Sequence, residues 1–175
     1  MTLSEVLDLN ISKGKEPYQY WIKEAVNHSA VLEEIMEYAF GGTEKQCKRA
    51  NWILHHASDA RSEVFYPYLQ ELVKNLLKAQ TEAEKRFILR YFSKYKLPDE
   101  SQLGNLLDYC FNSINSPDSK SSAPAIYSIS ILGRIASIYP EIRQEILASL
   151  SEGEHWHSPG MKVRAKRVIK ELDQF

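Results

Sequence analysis

Cysteine, glycine and proline are all scarce in this chain, and neither sign of charge predominates. Two cysteines in 175 residues, Cys47 and Cys110, with no Cys-x-x-Cys spacing, leave a disulfide framework or dithiol chemistry without its residues. Each sits among apolar neighbours in a separate expected helix, so both read as small buried hydrophobes. Lys and Arg number 22 against 23 Asp and Glu, a formal net charge of −1, so no whole-molecule attraction to nucleic acid or anionic lipid is expected. No apolar run approaches the ~18 residues that a membrane span needs. The opening "MTLSEVLDLNISKGKEP" lacks the basic-then-apolar order of a secretory signal. The expected compartment is therefore the cytoplasm, with no membrane partner. The nucleophile-elbow, zincin, P-loop and dinucleotide-binding spacings are also missing, so no catalytic residue and no cofactor is assigned and the reading leans away from an enzyme.

What the chain has in quantity is helical periodicity. Glycine and proline gather at intervals, at Gly41-Gly42, Pro67, Pro98, Pro117, Pro124, Pro140 and Pro159-Gly160. Between them the apolar residues recur on one face. Leu69, Leu72, Val73, Leu76 and Leu77 form one such stripe; Leu103, Leu106, Leu107, Cys110, Phe111 and Ile114 a second; Ile142, Ile146, Leu147 and Leu150 a third. No stretch shows the turn-flanked alternation of a strand. The expected fold class is all-α.

The helices repeat as a plan. Residues 48–78, 85–114 and 124–152 each open with a helix bearing apolar or aromatic residues. Each then breaks at a proline (Pro67, Pro98, Pro140) and continues into a Leu/Ile-rich second helix. Proline suits a helix start, where its missing N–H would have no partner. Equivalent first-helix positions fall at Ala50, Phe87, Ala125 and Ala165, spaced by 37, 38 and 40 residues. The tail "KVRAKRVIKEL" thus reads as the first helix of a further unit, with Val163, Ala165, Val168, Ile169 and Leu172 packing and its lysines and arginines facing water. Residues 16–28 and 29–40 form an earlier pair. The expectation is a single domain over 1–175, with 1–15 as an N-terminal extension and 16–173 as about four helix pairs plus a closing helix.

This period, with two helices per unit and proline near the second, resembles HEAT and armadillo-type repeats. The resemblance implies a right-handed α-α superhelix whose second helices line a concave surface used to bind partners. It implies a non-catalytic scaffold for a protein or peptide. The side chains left outside the apolar stripes, Tyr68, Glu71, Lys74, Asn105, Asp108, Arg143 and Gln144, are the expected contacts. The repeat plan is also similar to that of HEAT-like DNA alkylation-repair proteins, which hold damaged DNA with basic and aromatic residues. That likeness implies an alternative, nucleic-acid contact through Lys48, Arg49, Arg86, Arg90, Arg164 and Arg167, spread along successive first helices. Acidic neighbours Glu44, Glu82, Glu84 and Glu171 favour a mixed-charge solvated face instead.

Two histidine groups complete the inventory. His155 and His157 flank Trp156 near Glu152 and Glu154, and His55-His56 stand four and three residues before Asp59. No spacing ties these into a set of zinc ligands. The expected reading is a polar loop with Trp156 packed inward, and histidines near a helix carboxyl end, where they complement its carbonyls. No metal is assigned.

Overall fold

Four of the helices begin where the local sequence supplies a side-chain cap. The computed structural model describes residues 1–9, 16–116, 121–153, 156 and 158–174, and among these it contains ten α-helices and no strand. Helices α1 (Leu3–Asp8) and α4 (Glu44–Ala60) open on reciprocal capping boxes, Thr2 with Glu5 and Thr43 with Gln46. At the start of α6 (Glu82–Lys94) the Glu84 carboxylate accepts from Gln80 N and Thr81 N at 3.0 and 2.7 Å, while Thr81 Oγ1 receives Glu84 N at 3.3 Å. Asp99 caps α7 (Glu100–Asn115) through Ser101 N. The remaining helices are α2 (Glu16–Asn27), α3 (Ser29–Gly41), α5 (Leu69–Lys78), α8 (Ala123–Ile138), α9 (Arg143–Ser151) and α10 (Pro159–Leu172).

The repeat register survives at the level of single residues. Ala50, Phe87, Ala125 and Ala165, the equivalent first-helix positions, are each no more than 3% exposed. The prolines precede the second helices by different distances. Pro67 lies inside a 3-10 segment, Ser62–Tyr68, that runs into α5, and Pro140 opens a shorter one, Pro140–Ile142, ahead of α9. Pro98 stands directly before the α7 cap.

The chain divides into two compact units, Met1–Tyr91 and Phe92–Phe175. In the first, α4 packs against α1, α2 and α3 and against the 3-10 segment before α5. It contributes Ala50, Ile53, Leu54 and Ala57, all fully buried, while Phe65, Phe87 and Tyr91 form an aromatic cluster. The residues read as an extension include α1, whose Leu3, Val6 and Leu7 are buried core. In the second unit, α8 packs against α7, α9 and α10. Its sequence explains this: Ile129, Ile131, Leu132, Ile135 and Ala136 are distributed around the helix, and a helix apolar on most sides needs several neighbours. Gly133 allows the closest approach, since a Cβ there would lie 2.6 Å from Val168 Cγ1 of α10.

Two expected core residues are exposed instead. Val163 is 68% exposed, because at ~100° per residue it lies opposite the buried Met161, Ala165, Val168 and Leu172 of α10. Leu77 is 52% exposed, at the margin of the stripe centred on Leu72, Val73 and Leu76 in the short helix α5. Cys47 and Cys110 are free and buried, in α4 and α7. Burial pushes the Cys110 thiol up to about 12.

Candidate partner-binding groove

Helix α3 turns Leu32, Ile35, Met36 and Ala39 inward, so the intervening Glu33, Glu34 and Glu37 face out. Its thirteen residues carry no basic side chain. Beside it the 3-10 segment and the first turn of α5 present Tyr68 and Glu71. Between them lies a groove of about 510 Å³ lined by Glu33, Met36, Glu37, Phe40, Gly41, Tyr68 and Glu71. A Cβ added at Gly41 would meet nothing within 4 Å.

One hydrogen bond joins the two sides. The Tyr68 hydroxyl donates to Glu33 Oε1 at 2.6 Å. That bond to a carboxylate, with desolvation and the charges of Glu33 and Glu71, pushes the Tyr68 phenol up to about 12. Among the described residues, Glu37 and Glu71 form no ion pair. The groove is an acidic channel whose accessible apolar surface is the half-buried Phe40, with the buried Met36 beneath it.

Of the residues expected from the sequence, Tyr68 and Glu71 line this groove and Lys74 is exposed further along α5. Asn105 and Asp108 are exposed on α7, in the second unit; Asn105 donates to Gln102 Oε1. Gln144 is exposed at the start of α9, and Arg143 donates through Nε to Ala136 O at 3.4 Å. The sequence reading placed a helix over residues 29–40 but assigned none of its residues to the binding face. Its signal was three glutamates in an otherwise apolar, cation-free helix.

The basic residues of the first helices have a different occupation. Arg49, expected in a surface stripe, is 7% exposed and donates through Nη1 to Leu7 O at 2.7 Å. Lys45 Nζ reaches Asp8 O, and Tyr18 donates its hydroxyl to Val6 O. Three consecutive carbonyls at the end of the six-residue α1 are thus each met by a side chain from α2 or α4. Carboxyl-terminal carbonyls lack intrahelical partners and carry partial negative charge, so cations are favoured there. Arg61 does the same for Val26 O at the end of α2, and Arg134 for Phe92 O and Tyr95 O at the end of α6. Arg90 places one guanidinium nitrogen against both Asp59 oxygens, at 2.8 and 2.9 Å. Arg86 and Arg167 face Glu82 and Glu171 one turn away, at 3.9 and 3.0 Å. Lys48 is exposed and Arg164 half-exposed.

His55 and His56 lie near the carboxyl end of α4, as expected. His56 packs on Trp52 with ring centroids 4.0 Å apart, and His55 Nε2 stands 3.7 Å from Asp59 Oδ2. Among the described residues no group of three or more His, Cys, Asp or Glu is placed to hold a metal ion. His155 and His157 lie outside the described residues. Trp156 is buried, and a Cβ on Gly153 would fall 2.6 Å from its ring. Among the described residues no helix is long and apolar enough to cross a membrane.

Helices in successive pairs, with one register position buried in each of α4, α6, α8 and α10, define an all-α helical-repeat protein of the HEAT/armadillo type. The chain belongs to the HEAT repeat domain family, whose model matches residues 8–172. No curated protein and no solved structure matches it.

Proposed function

We propose that this chain is a non-catalytic module that binds a protein or peptide on the face formed by its second helices. The observation that carries this reading is the groove between α3 and the start of α5, where Tyr68 and Glu71 stand open on an apolar wall. Side chains on the first helices, by contrast, are largely engaged in closing the fold. The proposed contacts are Tyr68, Glu71 and Lys74 in the first unit and Asn105, Asp108, Arg143 and Gln144 in the second. Rigid helices that present polar and aromatic side chains around a groove suit recognition without chemistry.

The test is selection from a random-peptide display library, followed by titration of the recovered peptides against surface variants. Weakening by Tyr68→Ala, Asn105→Ala or Gln144→Ala, with no effect of Lys48→Ala or Arg86→Ala, supports the reading. Weakening by the first-helix variants alone overturns it. Duplex DNA titrated at ~50 and ~200 mM salt checks the nucleic-acid alternative, because phosphate contacts lose much of their affinity over that range. The buried Arg49 and the engaged Arg90 count against that alternative.

A further inference from the structure

We infer that the α3/α5 groove takes a cationic segment of a partner protein, seating an apolar side chain against Phe40 and its Lys or Arg residues against Glu37 and Glu71. The inference rests on the peptide-binding reading above and gives that partner a chemistry. The groove's volume is about 510 Å³, and it opens to solvent. Among the described residues its lining mixes apolar surface with three carboxylates and contains no Lys, Arg or His.

The charge arrangement selects the sign of the occupant. Glu33 and Glu37 stand one turn apart on α3, where like charges repel. Glu33 is satisfied by the Tyr68 hydroxyl, which ties α3 to the start of α5 and sets the groove's width. Among the described residues Glu37 and Glu71 have no ion-pair partner; one stands on α3 and the other on α5. A cation placed there relieves the repulsion and makes charge-assisted hydrogen bonds. A phosphate backbone or an acidic peptide meets repulsion from both sides. Phe40, half-buried at the groove, then separates a partner with an apolar residue among its basic ones from a simple polycation.

The experiment is fluorescence anisotropy on the full chain with three labelled synthetic peptides, in which leucine alternates with lysine, leucine with glutamate, and serine with lysine. The Leu/Lys peptide is expected to bind, the Leu/Glu peptide not to, and the Ser/Lys peptide to bind more weakly. Raising salt from ~0.05 to ~0.3 M should weaken the Leu/Lys complex, because partly exposed pairs are screened. The double variant Glu37→Gln/Glu71→Gln should weaken it by about tenfold. Both positions are exposed, and an unchanged unfolding temperature shows that the variant folds. Equal binding of the Leu/Lys and Leu/Glu peptides, or an unchanged affinity in the double variant, overturns the inference. If display-selected peptides bind and respond to Asn105→Ala but not to the double variant, the groove assignment fails while peptide binding stands. If no peptide of either kind binds, both fail. The α10 surface bears Val163, Lys166, Arg167 and Lys170. Should the unliganded protein self-associate and the double variant abolish that in sedimentation, the occupant is a second copy and the partner-segment inference is wrong.

Discussion

Lys48 and Arg49 are sequence neighbours with opposite surroundings. Lys48 points to solvent, and Arg49 carries its charge inward to the end of α1. Arg49→Ala should lower stability by about 1.5–3 kcal/mol, the range for a hydrogen bond made by a charged group, with the packed side-chain stem lost as well. Lys48→Ala should stay within about 0.5 kcal/mol. Urea denaturation, read from the midpoint at constant slope, separates them. Tyr68 gives a pH-dependent counterpart. Its folded pKa, about 12, lies above the ordinary 10.0, so the native protein holds this proton more tightly than the unfolded chain does. The stabilising contribution is complete below pH 10 and is lost as pH rises from there to about 12. Over that interval the wild type should lose more stability than Tyr68→Phe, measured by chemical denaturation at each pH. The difference between their phenolate absorbance titrations should show a component titrating at the alkaline end. Subtraction matters here, because burial also pushes Tyr109 up to about 12.

At the scale of elements, the contact between α8 and α10 depends on one missing side chain. Gly133→Ala would drive a methyl group into Val168, and overpacking of this kind costs about 1–3 kcal/mol despite alanine's better helix propensity. The lowered thermal midpoint should be partly restored by adding Val168→Ala, a non-additive pair that marks direct contact. The short helix α1 makes a related point. Six residues are too few for an isolated helix in water. It persists with a capping box at one end and the Arg49, Lys45 and Tyr18 donors at the other.

For the whole molecule, 22 basic and 23 acidic residues give a calculated isoelectric point near 6.5. Mutual repulsion between molecules is therefore weakest close to neutrality. Static light scattering should show the most attractive interactions near pH 6.5, turning repulsive as pH moves away on either side. Opposite behaviour would point to specific association dominating over net charge. Much of the architecture was legible before any coordinates. A helix repeats its environment every three to four residues, so the positions of leucine and isoleucine revealed the helices, and the spacing of Ala50, Phe87, Ala125 and Ala165 revealed the repeat. Val163 was misread because apolar character alone does not say on which side of α10 a residue falls. Arg49 was misread because charge suggests solvent until a carbonyl from 42 positions away is brought within 2.7 Å. The groove was beyond local rules: Glu33 and Tyr68 are 35 residues apart and meet only when the 3-10 segment before α5 is brought beside α3. The sequence by itself determined the helices and their period, since these depend on neighbours along the chain. Tertiary structure alone decided which charges cap a helix and which carboxylates share a channel, because those assignments depend on contacts between distant segments.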